Sequence, residues 1–262
     1  MAPINAYLMK SPSNDVPSKP LDHDLNNTRT SEIVRLFTFG CVSEAQGLSQ
    51  NQHNERQIMA NHLYQNDLPD GLDLGPMVAI DCETMGLNPH RDRLCLIQMS
   101  GGDGECHLVQ IAKGQTEAPN LCRMLEDPKV LKLFHFGRFD IAALHHTFGA
   151  TTAPVYCTKI ASRLVRTFTD RHGLKTLLQD MVGIDISKHQ QQSDWGAEKL
   201  TEAQLDYAAS DVLYLHQLKE KFDAMLTREG RMDTAQACFD FLPTRAKLDL
   251  AGWPDTDIFA HS

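Results

Sequence analysis

Apolar and polar positions fall into no steady rhythm before Met59, and two clear rhythms alternate after Met77. Met77–Glu83 (MVAIDCE) predicts a buried strand, followed by two more over Leu94–Ser100 and His107–Ile111. The Gly101-Gly102-Asp103-Gly104 turn is short, which suits antiparallel neighbours. Asn120–Leu125 then predicts a helix, Val130–Phe136 a strand, and Arg138–Phe148 a helix stopped by Gly149. Val155–Cys157 reads as a short strand running into a helix over Thr158–Thr167, and Leu174–Val182 as a helix ending at Gly183. Ile184–Lys199 has no period and reads as a long functional loop. Thr201 and Gln204 form a reciprocal cap for a long helix with Leu205, Ala208, Val212, Leu215 and Leu218 on one stripe, ending near Gly230. A last short helix is expected over Thr234–Phe241, broken by Pro243. Antiparallel strands followed by alternating strands and helices imply an α/β fold, a mixed β-sheet flanked by helices.

Residues 1–30 hold Pro3, Pro12, Pro17 and Pro20 among Asn, Ser and Asp, with one possible element at Glu32–Val42. Residues 1–58 are therefore expected to be a poorly ordered N-terminal extension of a globular domain over 59–262. Of 262 residues, 42% are apolar and 23% charged, as in ordinary soluble proteins. No apolar run approaches the roughly 18–20 residues that span a bilayer, and the first residues lack the basic-then-apolar pattern of a secretory signal. A cytoplasmic protein with no membrane association and no obligate protein partner is expected.

The seven cysteines, Cys41, Cys82, Cys95, Cys106, Cys122, Cys157 and Cys238, include no CxxC pair, so neither a zinc ribbon nor a dithiol redox site is suggested. A net charge of −9 argues against a protein that coats nucleic acid by neutralising its phosphates. It leaves room for an enzyme that brings divalent cations to those phosphates.

The acids in VAIDCET supply such a candidate. Asp81 and Glu83 are two apart on a strand, so both leave the same face while Cys82 leaves the other. Paired carboxylates at the end of an apolar strand repel each other unless a cation lies between them, and hard oxygen donors suit Mg²⁺ or Mn²⁺. A bare DxE also serves as a plain exposed strand end. Asp140 falls in the first turn of a predicted helix, where the helix dipole also favours a carboxylate. Tyr207 and Asp211 are four apart, on one face of the long helix. Asp211 interrupts an Ala- and Leu-rich run, YAASDVLYL, and is unfavourable there without a ligand.

In order and context, the strand DxE, then HFGRFD, then YAASD resemble the three motifs of the DEDDy 3′–5′ exonucleases. Within that group the chain is most similar to ribonuclease D and the exonuclease domain of the Werner-syndrome helicase. The likeness extends through RLCLIQMS, CTKIASRLV and HGLKTLLQDMVGIDISKHQQQSDW, covering Met77 to Leu218. It implies a ribonuclease H-like fold and an exonuclease domain over 59–262 with a short C-terminal helix and tail. Ribonuclease D proper carries further C-terminal helical domains, for which the residues after Leu218 are too few, so the short, single-domain form is expected.

The resemblance also implies roles. Asp81 would bridge two divalent metal ions, Glu83 would join the catalytic ion beside the attacking water, Asp140 would hold the second ion, and Asp211 would complete the first site. Tyr207 would orient or help deprotonate the water. Two ions roughly 3.5–4 Å apart can stabilise both attacking and leaving oxygens of an in-line displacement. The implied partners are single-stranded or frayed 3′ ends of RNA or DNA, and the implied products nucleoside 5′-monophosphates. A DNA end-trimming exonuclease and a catalytically silent nucleic-acid-binding module are the alternatives.

Thr84, Met85 and Leu87 could pack against the terminal base and sugar, and His135 gains from lying five residues before Asp140; His172 is a weaker candidate. Lys159, Arg163, Arg166, Arg171 and Lys175 stand against one acid, Asp170, as a candidate phosphate-contacting patch. Arg91 and Arg93 sit in a turn near the DxE strand, where they could approach the substrate strand. Trp195 could stack on a base or, preferably, anchor its loop.

Overall fold

The computed structural model describes residues 60–186, 190 and 192–261. The expected N-terminal extension lies outside the described residues.

A six-stranded mixed sheet organises the domain. Its strands are β1 (Asn61–Gln65), β2 (Met77–Thr84), β3 (Leu94–Ser100), β4 (Cys106–Gln110), β5 (Leu131–Phe134) and β6 (Val155–Cys157), in spatial order β1-β4-β3-β2-β5-β6. β2, β3 and β4 pair antiparallel, while β5 runs parallel to β2 and β6 parallel to β5. The mixed sheet expected from the pattern is present. The edge strand β1, parallel to β4, was not expected, because NHLYQ is short and mostly polar.

Every residue of β3 and β4 is buried, so the centre of the sheet is covered on both faces. Helices supply the cover: α1 (Pro119–Glu126), α2 (Arg138–Phe148), α3 (Thr158–Val165), α4 (Leu174–Leu177), α5 (Glu202–Ser210), α6 (Leu215–Arg228) and α7 (Met232–Leu250). The α1 N-terminus is held by Asp67, whose carboxylate accepts from the Asn120 and Leu121 amides at 2.9 and 2.8 Å. α2 ends at Gly149, left-handed at φ 73°, as the sequence predicts. After α4 one wider, π-helical turn (Leu178–Val182) carries the chain to Gly183.

Two helix expectations need correction. The long helix after Thr201 is two helices, separated by a turn over 211–214. The Ser210 hydroxyl donates to the Tyr207 carbonyl, and the Asp211 and Val212 amides reach back only three residues, which tightens and ends α5. Conversely, Pro243 does not end the last helix but sits inside α7. Phe239, Leu242 and Ala246 are buried around it, and Phe239 packs on Tyr156 with ring centroids 4.4 Å apart, so tertiary packing outweighs the missing amide.

Candidate active site

The site begins where β2 leaves the core. Val78, Ala79 and Ile80 are fully buried, and the next residues, Asp81 and Glu83, emerge on one side at the strand end. The register against β3 slips between Glu83 and Thr84, a bulge that adds local twist at the rim of the sheet. Directly across β3 the fully buried Gln98 donates from Nε2 to Asp81 Oδ2 at 3.1 Å. That bond holds the Asp81 carboxylate at the cavity wall.

Asp140 arrives by a sharp turn. β5 ends at Phe134, Phe136 takes φ 67°, and Gly137 starts α2. A Cβ on Gly137 would lie 2.5 Å from Phe134 Cβ, so only glycine lets the chain turn this tightly. Asp140 then sits in the first helical turn, 4% exposed. From the opposite side α5 brings Tyr207 and, at its C-terminal end, Asp211. The capping box of Thr201 and Gln204 sets where α5 begins and hence where both side chains point.

These residues converge. Asp81, Glu83 and Asp211 each present a carboxylate oxygen such that the three lie within 4.8 Å of one another. Asp81, Glu83, Tyr207 and Asp211 line one cavity of about 310 Å³, together with His135. Burial, then repulsion from Asp140, Asp211 and Glu83, pushes the Asp81 carboxyl well above its usual range. Burial raises Glu83 to about 8, with Asp211 and Asp140 contributing. Asp140 rises to about 7, again chiefly through burial, although hydrogen bonds from its own amide and from Cys82 oppose the rise. Such a cluster is held together against its own charge, and the donor set, all hard oxygens, fits divalent cations such as Mg²⁺ or Mn²⁺. Tyr207 donates to Asp211, and burial beside these acids keeps it a neutral phenol.

The remaining candidates separate into two groups. His135 is in the cavity, with Nδ1 2.9 Å from the Thr158 hydroxyl, and burial drives its pKa down to about 3, so it is neutral. Of the basic patch, Lys159 and Lys175 line the cavity; Lys159 Nζ stands 4.0 Å from the Phe136 ring centroid, and Lys175 pairs with Asp185 at 2.9 Å. Arg166 is instead buried and bonded to Asp180 at 2.6 Å, and His172 meets Ser162. The patch is thus only partly directed at the site. Phe136 was not singled out by sequence reasoning; its one signal was its place within HFGRFD.

Thr84, Met85 and Leu87 do not line the acidic cavity. Thr84 donates to the Gly86 carbonyl, while Met85 and Leu87 are 53% and 86% exposed, so neither is core. Leu87 borders an adjacent apolar hollow of about 520 Å³ that shares Phe136 with the cavity. Arg91 and Arg93 face elsewhere. Arg91 pairs with Asp92, and Arg93 donates to the carbonyls of Leu94, Ile111 and Gly196. Trp195 is 3% exposed and packs on Tyr207 at 6.1 Å, so it anchors its loop.

Among the described residues no helix is long and apolar enough to cross a membrane. The model of the 3′–5′ exonuclease family matches residues 59–227. Ribonuclease D of Acidiphilium cryptum is 38% identical over 166 residues, 63% of this chain and 42% of that protein, so the match spans less than half of the curated relative. The solved structure of Brucella melitensis NrnC with bound Mg²⁺ is 56% identical, covers 78% of this chain and all of that one, and has a TM-score of 0.75. Escherichia coli RNase D, described as an exoribonuclease involved in structured RNA processing, is 25% identical with a TM-score of 0.58, covering 69% of this chain and 48% of that one. Three motifs in order, three acids around one cavity and these matches lead to one assignment: the chain belongs to the 3′–5′ exonuclease family.

Proposed function

We propose that this chain removes nucleotides one at a time from the 3′ end of short single-stranded RNA, using two divalent cations, and releases nucleoside 5′-monophosphates. The observation that carries the reading is the meeting of Asp81, Glu83 and Asp211 within 4.8 Å, with Tyr207 on the same cavity wall. When bound, the cations would stabilise charge on the attacking and leaving oxygens and offset repulsion between an acidic protein and a polyanion.

The chain's own groups supply the rest. Asp81 would reach both cations, Glu83 and Asp211 would complete one position, and Asp140 would hold the other. Tyr207 would orient the attacking water through its hydroxyl. The water oxygen bonds to the terminal phosphorus, the bond from phosphorus to the upstream 3′ oxygen breaks, and that oxygen leaves with a proton. Lys159 and Lys175 place positive charge on the wall of the same cavity as the acids, where the incoming phosphate would lie. His135, kept neutral, offers a hydrogen-bonding wall without adding a positive charge that would repel the cations. Met85, exposed just after β2, and Leu87, on the adjacent hollow, present apolar surface to a base or sugar.

NrnC has also been solved bound to pGG, which makes pGG a suitable shortest probe. In the test, pGG and 5′-labelled RNA and DNA strands are incubated with Mg²⁺, Mn²⁺ or chelator. The expected outcome is stepwise shortening from the 3′ end, mononucleotide release, and loss of activity with chelator and in Asp81→Ala. Chelator-resistant cleavage, or internal cleavage, overturns the reading. Faster loss of DNA than RNA would reassign the substrate to DNA ends.

A further inference from the structure

The first turn of α2, which carries Asp140, has no side-chain cap. Phe136 just before it takes φ 67°, a left-handed backbone that persists for an aromatic residue only where its surroundings impose it. Part of what imposes it comes from the other end of the chain. Arg138, the first residue of α2, donates from Nε to Asp249 Oδ2 at 2.5 Å and from a terminal nitrogen to Oδ1 at 2.7 Å. It donates to the Pro254 carbonyl as well. Asp249 lies in the last turn of α7, beyond the residues that the family model matches. Arg245, one turn back, holds it in place, donating to Oδ1 at 2.7 and 3.1 Å and also to the Trp253 carbonyl. The side chains of Asp249 and Arg245 are 13% and 18% exposed, so water competes little for these bonds.

We infer that Asp249 is a positioning residue: its fork with Arg138 fixes the first turn of α2 and so sets where Asp140 stands among the acids. This rests on the two-cation reading above. A guanidinium joined to a carboxylate by two parallel bonds resists rotation as well as separation, a direction that one contact would leave free. Asp140 follows Arg138 by two residues within the same turn, so the fork acts on it through shared backbone. No described residue of α7 lines the acidic cavity, so the helix acts through the fork and not by contact. Groups that orient a metal ligand from behind are worth about 10–100-fold in metal affinity, and one acting through a helical turn belongs at the lower end.

The test compares the metal-free full chain with Asp249→Asn, Arg138→Lys and Arg245→Ala, using melting as a folding control. The first two break the fork from opposite ends, whereas Arg245→Ala leaves it and loosens only α7 and the tail. Two readouts are taken well below the lowest melting temperature. One is hydrogen exchange at the Ile141 amide, which donates to the Gly137 carbonyl at 2.9 Å; the other is calorimetric titration of Mn²⁺. In both fork variants exchange should be about tenfold faster and one Mn²⁺ site about tenfold weaker. Neither should change in Arg245→Ala, however far its melting temperature falls. Unchanged exchange or unchanged Mn²⁺ affinity in the fork variants overturns the inference, as does an equal change in Arg245→Ala. Should one fork variant fail to fold, the other decides. An unmodified chain that binds no Mn²⁺ would instead sink the two-cation reading, while exchange at Ile141 still decides whether the fork holds the turn.

Discussion

Without cations, the domain should lose stability as the pH rises from about 5 to 8, opposite to the usual behaviour of proteins stabilised by paired carboxylates. Asp140 has an ordinary value of 3.8 and is raised to about 7; Glu83 is raised from 4.5 to about 8. A carboxyl whose folded value is raised binds its proton more tightly in the folded state. Its contribution is fully present below the unfolded value and is lost as pH climbs through the folded one. For Asp140 the shift is about three units, an upper bound of about 4 kcal/mol at roughly 1.4 kcal/mol per unit. The acids repel one another and share protons, so about 2 kcal/mol is a fairer figure for one of them. In a domain of this size that corresponds to about 4–8 °C in melting temperature. Scanning calorimetry from pH 5 to 8 in chelator should show this fall. Millimolar Mn²⁺ should remove or invert it, because ligation requires the ionised carboxylates. Asp140→Asn should flatten the metal-free slope and melt higher than the parent at pH 8. A metal-free chain whose stability is level or rises over this range refutes the account of the cluster.

Tyr207→Phe should lower kcat by about a hundredfold while Mn²⁺ affinity holds, since the role proposed for the hydroxyl is to orient the reacting water; a matching loss of metal binding would make the residue structural. Lys159→Ala and Lys175→Ala should each raise KM for RNA and flatten its salt dependence by about one charge, with kcat little changed. An unchanged salt slope in both would move the phosphate path elsewhere. Leu218→Ala, on the buried face of α6 with no exposure, should cost about 2–5 kcal/mol, read as a lower denaturant midpoint. A chain starting at Met59, where the family match begins, should keep its cation-dependent activity; loss of folding in that chain would make the first 58 residues part of the domain.

The strands from β2 to β6 and helices α1 to α3 were legible because their apolar periods are clean and their ends carry Gly or turn residues. β1 was not, because an edge strand of five residues needs no buried face of its own and takes its register from β4. Pro243 misled because local propensity was weighed without Phe239 and Leu242, whose burial holds α7 across it. The break after Ser210 was invisible for a related reason. The apolar stripe runs on through Val212, Leu215 and Leu218, all buried, although the backbone turns between the two helices.

The chain alone determined which chemistry is available. Asp81, Glu83, Asp140, Tyr207 and Asp211 stand in a recognisable order, and oxygen donors of that kind suit hard cations whatever surrounds them. Only the tertiary structure decided which neighbours join them. Five cations lie between residues 159 and 175, yet Lys159 and Lys175 reach the cavity while Arg166 is spent on Asp180, a difference of direction rather than of composition. Residue type dictates what a side chain can do. Which groups it meets depends on distances closed by packing, and elements far apart in sequence supply those.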